Sequence, residues 1–299
     1  MRGVLYGVAA YLIWGLFPLY WPLLEPASAV EILSHRVLWT LIVVAVLLWS
    51  PLLGASGLAA VRGLTARQLR LLSIAAALIC LNWVTYIYGV NAGLVVETSL
   101  GYFINPLVSV ALGVVVLRER LRPLQWLAVG LALVAVLALT VDYGRPPWVA
   151  LTLALSFGVY GFLRKRADVG PVDSLAVETA LIALPAAAFL AVLAATGDGT
   201  FTSEGPGHAA LLLSSGVVTA IPLLFFGAAA IRVRLSTLGL LQYLAPVLQF
   251  LIGVFVYDED MPASRLAGFA LVWAALVLLT VDAVRTMRNR DPALVGAVA

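Results

Sequence analysis

Residues 95–142 recur 140 positions later in the chain, and this repeat limits the possible folds more than any other feature. Sliding Val95 to Asp142 forward lays Pro106 on Pro246, Gly113 on Gly253 and Glu119 on Glu259. The same shift superimposes Leu139-Thr140-Val141-Asp142 on Leu279-Thr280-Val281-Asp282. The stretch closes a larger unit of five apolar segments in each half of the chain, and an odd number of spans means that the second unit must start on the side of a bilayer opposite to the first.

The bilayer follows from composition. With 63% hydrophobic and 11% charged residues and a mean hydropathy of +1.06, no soluble domain of 299 residues hides so much apolar surface. The expectation is an all-α integral membrane protein with ten transmembrane helices arranged as two inverted five-helix repeats. The spans fall near 3–22, 30–50, 69–91, 94–116, 123–141, 147–164, 173–195, 208–230, 236–257 and 263–284. The first repeat covers 1–142, the second 143–285, and a tail covers 286–299. Gly3 to Pro22 carries Trp14, Pro18 and Trp21 and lacks a small-residue cleavage site, so it reads as a retained span. One cysteine, Cys80, lies in an apolar run, which rules out a disulfide within the chain or a Cys-ligated metal site.

Basic residues set the orientation, because Lys and Arg beside a span stay on the cytoplasmic side. Arg2, Arg62/Arg67/Arg70, Arg118/Arg120/Arg122, Arg164/Lys165/Arg166, Arg232/Arg234 and Arg285/Arg288/Arg290 occupy every second connection. The intervening connections carry Arg145 with acids such as Asp142, Asp198, Glu204 and Asp258-Glu259-Asp260. Both termini are expected in the cytoplasm. Spread over six connections, the basic groups do not make a nucleic-acid surface.

Polar atoms inside the spans mark a candidate pathway. The fifth and tenth spans are apolar all round and read as scaffold. Asn82 and Tyr86 share one face of the third span with Trp83 between them, and Asn105 on the fourth span reaches a similar depth. Pro106 and its repeat counterpart Pro246 each remove a backbone hydrogen bond, as a hinge or a static kink. Ser156 and Tyr160, then Ser214, Ser215 and Thr219, then Gln242, Tyr243 and Gln249 supply neutral hydrogen-bonding groups from the second half. With Tyr11, Trp14 and Trp83 they suit a small polar or amphipathic organic molecule.

Two charges inside the spans stand out from the rest, Arg36 in the second and Glu178 in the seventh, related by a shift of 142 residues. An intramembrane charge faces a polar cavity or a partner. Arg36 either has a structural role, snorkelling outward, capping neighbouring carbonyls or pairing with Glu31 or Glu97, or attracts an anionic group of a substrate. Glu178 is a candidate coupling carboxylate. His35 reads as a hydrogen bonder and not a metal ligand, because the other histidine, His208, begins the eighth span.

The strings Glu31-Ile-Leu-Ser-His-Arg36, Leu81-Asn82-Trp83, Glu97-Thr-Ser-Leu-Gly-Tyr-Phe-Ile-Asn-Pro-Leu107 and Leu235-Ser-Thr-Leu-Gly-Leu-Leu-Gln-Tyr243 resemble the RarD-type permeases of the EamA family. That family belongs to the drug/metabolite transporter superfamily, and the resemblance runs from Gly3 to Asp282. It implies ten helices, a bacterial plasma membrane and movement of small organic solutes. Pro22 departs from the pattern, standing where family members carry a lysine. The expected partners are a small-molecule substrate, the lipid bilayer and protons, with no cofactor; monomer and homodimer are both compatible with the sequence. A ligand-binding membrane sensor and a lipid scramblase share such a cavity and are the alternatives. The chain lacks H-E-x-x-H and G-x-S-x-G patterns and any carboxylate pair at catalytic spacing within the spans, which argues against an enzyme.

Overall fold

The computed structural model describes residues 2–49, 63–117, 121–169, 171–230, 232 and 241–290. Among them the ordered elements are helical. The long helices are α1 (Arg2–Gly15), α2 (Ala29–Trp49), α3 (Ala66–Asn91), α4 (Val95–Leu117), α5 (Pro123–Tyr143), α6 (Trp148–Ala167), α7 (Pro171–Thr196), α8 (Gly205–Ala230), α9 (Leu244–Phe255) and α10 (Ala263–Arg290). Six of them are long and apolar enough to cross a membrane, or seven segments if the bent pair at the start of the chain is one span.

Local chemistry sets the helix ends. Thr65 and Gln68 close a reciprocal cap at the start of α3, the Gln68 N–H donating to Thr65 Oγ1 and the Thr65 N–H to Gln68 Oε1. Pro123 opens α5, where a missing N–H costs nothing, and Gly144 closes it at φ 64°, in the left-handed region.

The expected first span is broken. After α1 the chain bends by 43° into the short helices Phe17–Tyr20 and Trp21–Leu24. Pro18 and Pro22 lack N–H groups, which leaves the carbonyls of Trp14 and Pro18 without helical donors. Side chains at and just beyond α9 take them over: Gln249 Nε2 donates to the Trp14 carbonyl at 3.2 Å and the Tyr257 hydroxyl to the Pro18 carbonyl at 2.8 Å.

Packing pairs α5 with α10, α6 with both α3 and α4, α8 with both α1 and α2, α7 with both α2 and α3, and α9 with both α1 and α4. Two close approaches are made by glycines. A β-carbon at Gly15 of α1 would fall 2.8 Å from Leu248 Cβ of α9, and one at Gly158 of α6 would fall 2.6 Å from Val108 Cγ1 of α4.

The α5–α10 pair is antiparallel. Asp142, at the end of α5, bonds Arg265 in the first turn of α10 at 2.9 Å and also accepts from Ser264. Arg122, just before α5, bonds Asp282 in the last third of α10 at 2.8 Å. Between the two bridges, Ala128, Ala132, Ala135 and Leu139 pack on Phe269, Val272, Ala275 and Leu276. The outward side of α5, including Trp126, Leu133 and Leu137, is exposed and apolar, the face a lipid would cover.

Candidate functional site

Seven residues into α2, about 10 Å below the helix start at roughly 1.5 Å per residue, Arg36 is 4% exposed. Among the described residues it has no salt bridge. The two carboxylates expected as structural partners are engaged elsewhere. Glu31 accepts from the Thr200 N–H at 2.7 Å and the Thr200 hydroxyl at 3.0 Å. Glu97 takes Arg145 at 2.7 Å and the Val149 N–H, at the start of α6, at 3.0 Å. Aromatic rings surround the guanidinium instead. Its Cζ lies 4.0 Å from the Trp83 ring centre, 5.1 Å from Trp21 and 5.9 Å from Phe17, and Tyr20, Tyr86 and Tyr102 are its electrostatic neighbours.

Ring stacking offsets the cost of this burial only in part. A desolvated cation–π contact contributes about 2 kcal/mol, and only Trp83 is close; Phe17 is at the outer limit of reach. Withdrawing a cation from water costs several kcal/mol. A ring over the guanidinium carbon also accepts no directed hydrogen bond from its N–H groups, which call for an acceptor.

Asn82 and Tyr86, expected on one face of α3, both meet Tyr102 of α4. The Tyr102 hydroxyl donates to Asn82 Oδ1 at 3.3 Å, and the Tyr86 and Tyr102 rings meet edge to face at 5.7 Å. Asn82 Nδ2 donates to the Leu153 carbonyl and to Ser156 Oγ, both at 3.0 Å, tying α3 to α6. Its amide is therefore occupied on both sides. Asn105 and Pro106 lie half-buried in an unbroken stretch of α4, with Asn105 beside Gly158 of α6. Pro246 falls in the first turn of α9, where its missing N–H breaks no helical bond. Gln242 and Tyr243 form the half-buried turn ahead of it. Trp83 belongs to the Arg36 cage, whereas Tyr243 packs in the apolar cluster between α4 and α10, so the named residues do not all converge on one point.

Glu178 lies about 10 Å from the opposite end of the bundle, again at roughly 1.5 Å per residue, and is 2% exposed. Its Oε2 accepts from the Tyr160 hydroxyl at 3.1 Å, and Oε1 is 3.7 Å from Arg164 Nε without a hydrogen-bond donor. Arg164 also donates to the Tyr160 hydroxyl at 2.8 Å and bonds Ser174. The group joins α6 to α7 as a loosely closed ion pair.

A model of the EamA-like transporter family matches residues 1–141. Protein RarD of Streptomyces exfoliatus is 56% identical over 99% of this chain and 93% of its own length. The chain belongs to the EamA-like transporter family, as a RarD-type member. An uncharacterized transporter of Pseudomonas aeruginosa is 45% identical over 96% of both chains. A protein known from its crystal structure covers 95% of this chain and 98% of its own with a TM-score of 0.54 at 20% identity, a likeness of fold.

In this EamA-like chain, carboxylates cap helices in trans at the end of the bundle nearer Arg36. Glu31 caps the short helix Thr200–Ser203, Glu97 caps α6, and Glu259 accepts the Val95 and Val96 N–H groups of α4 at 2.5 and 2.9 Å. Helix N-termini favour such negative charge. Thr200 Oγ1 also lies 2.9 Å from His208 Nε2, and His35 accepts from Trp39 Nε1 at 3.3 Å and stacks on Phe201 at 4.9 Å, so each histidine makes a hydrogen-bonding contact at this end. An open hollow of about 350 Å³ at this end is lined by Glu97, Tyr143, Glu259 and Arg265 and does not reach Arg36.

Sequence reasoning missed Phe17, Tyr20, Trp21 and Tyr102 as members of the Arg36 cage. Pro18 and Pro22, four apart, carried the signal: they break the helix that brings Phe17, Tyr20 and Trp21 to Arg36.

Proposed function

We propose that this membrane transporter is a permease that moves a small polar or amphipathic organic metabolite or drug across the bacterial plasma membrane by alternating access. In this reading ten spans form two inverted repeats, residues 1–142 and 143–285, with both termini and the tail 286–299 in the cytoplasm. Exchanging α1–α5 for α6–α10 turns the α1–α8 contact into α6–α3, α1–α9 into α6–α4 and α2–α8 into α7–α3, all of which are packed pairs. The closely packed Gly15 and Gly158 exchange likewise, which supports the repeat.

The observation that carries the reading is a buried Arg36 without a carboxylate partner among the described residues, caged by aromatic rings beside an interrupted helix. Transporter sites typically lie at broken helices. Arg36 receives an anionic group of the substrate, while Trp83 and Tyr86 wall the site. Asn82 fixes Tyr102, and Asn105, Gln242 and Tyr243 line the path in other states of the cycle. Pro106 and Pro246 serve as bending points. Glu178, held by Tyr160 and Arg164, is the proton-coupling carboxylate.

Uptake of a labelled metabolite library into membrane vesicles, with and without a proton gradient, tests this reading. The expected result is accumulation of at least one organic solute that needs the gradient and is lost in Arg36→Gln. A sensor or scramblase would leave every library member at the level of control vesicles.

A further inference from the structure

Three buried polar atoms around the cage have no hydrogen-bond partner among the described residues: Arg36 Nε, Trp21 Nε1 and the Tyr86 hydroxyl. Their residues are 4%, 0% and 3% exposed. An arginine Nε and an indole N–H only donate, and a phenol donates as well as accepts. The Trp21 ring lies 5.1 Å from the guanidinium carbon, and Tyr86, one helical turn along α3 from Trp83, packs in the same buried cluster as Trp21. Unmade buried hydrogen bonds are costly, and a set of donors calls for an acceptor. A single water serves such a set poorly, because even with one hydrogen given to the Tyr86 oxygen its other hydrogen lacks an acceptor among these groups. An oxyanion accepts from all three.

We propose that Trp21, Arg36 and Tyr86 together bind one carboxylate, carried by a small organic acid with a flat apolar body. The inference rests on the permease reading and names its substrate class. One carboxylate matches the single cation of the cage in charge and in planar shape. A phosphate monoester brings a charge of about −1.5 to −2, which one guanidinium under-compensates in a water-poor site. The rings of Phe17, Trp83 and Tyr102 receive the body of the acid by stacking or edge contacts. Trp21 is held for this role by the break in the first span, which Gln249 and Tyr257 stabilise from the α9 side.

The test is equilibrium binding of labelled benzoate to the full chain purified in detergent, with phenyl phosphate, benzylamine and sodium chloride as competitors at constant ionic strength. Benzoate binds the parent, and none of the three competitors displaces it at equal concentration. Trp21→Phe keeps a ring and removes the N–H; Tyr86→Phe removes only the hydroxyl. Each weakens benzoate binding about tenfold, in line with a lost hydrogen bond to a charged group, and Arg36→Gln abolishes it. Gel-filtration profiles and ligand-free melting temperatures identify any variant that fails to fold, and Tyr86→Phe, the smallest change, then decides. No benzoate binding by the parent, parent-like binding by both Trp21→Phe and Tyr86→Phe, or displacement by chloride or phenyl phosphate as effective as by unlabelled benzoate overturns the inference. Gradient-driven vesicle uptake of a neutral or cationic solute that survives Arg36→Gln would leave the permease standing and remove the carboxylate site alone.

Discussion

Asp142 and Asp282, which hold the same place in the two halves of the sequence, clamp opposite ends of one helix pair. Asp142 takes Arg265 and Asp282 takes Arg122. Twenty residues of helix separate Arg122 from Asp142, about 30 Å at roughly 1.5 Å per residue, the thickness of a hydrocarbon core. The repeated Leu-Thr-Val-Asp string thus gives each helix a carboxylate that meets its antiparallel partner, next to the last residue of α5 and within the last third of α10.

Cysteine cross-linking follows directly. In a Cys80→Ala background, Asp142→Cys with Arg265→Cys, and Arg122→Cys with Asp282→Cys, should each form a cross-link under mild oxidation. Arg122→Cys with Arg265→Cys should not, because those residues sit at opposite ends of the pair. Efficient linkage of the last pair would mean that α5 and α10 run parallel.

Topology is checked by labelling from outside. Thr200 begins a short helix on the Glu31 end of the bundle, and Arg166 lies near the end of α6 on the other. A cysteine at Glu204 should react with a membrane-impermeant maleimide in intact cells, and one at Arg166 only after permeabilisation. Labelling of Arg166→Cys in intact cells would reverse the orientation.

Helix positions were legible because lipid demands long apolar runs; α2, expected at 30–50, spans Ala29–Trp49, and α4, expected at 94–116, spans Val95–Leu117. The partners of Arg36 were not legible. Hydropathy fixes depth along a helix but not the direction in which a side chain points. Glu31 and Glu97, near Arg36 in depth, are spent on helix starts contributed by distant segments. Part of the expected ninth span and most of the string that ends at Tyr243 lie outside the described residues.

Gln249 and Tyr257 take up carbonyls that proline frees. Gln249→Leu removes the donor to Trp14 and leaves that carbonyl unpaired, at a cost of about 1–3 kcal/mol. The melting temperature in detergent should fall by several degrees. Tyr257→Phe should act in the same direction and more weakly, since its ring is more exposed. Unchanged melting in both would mean that the break in the first span stands without α9.

Glu178 and Arg36 should fail differently, because a guanidinium stays charged at every accessible pH. Glu178→Gln should keep substrate binding and exchange but lose dependence on pH and accumulation against a gradient. Parent-like accumulation by Glu178→Gln at both pH 6 and pH 8 would make the Tyr160–Arg164–Glu178 group a structural tie.

The most direct measurement is counterflow in proteoliposomes, which needs no coupling. Vesicles preloaded with an unlabelled small organic carboxylate that the protein binds are diluted into its labelled form, and entry is compared for the parent, Glu178→Gln and Arg36→Gln. The account predicts exchange by the parent and by Glu178→Gln, and entry no faster than into protein-free liposomes for Arg36→Gln. Exchange by Arg36→Gln at the parent's rate would contradict it.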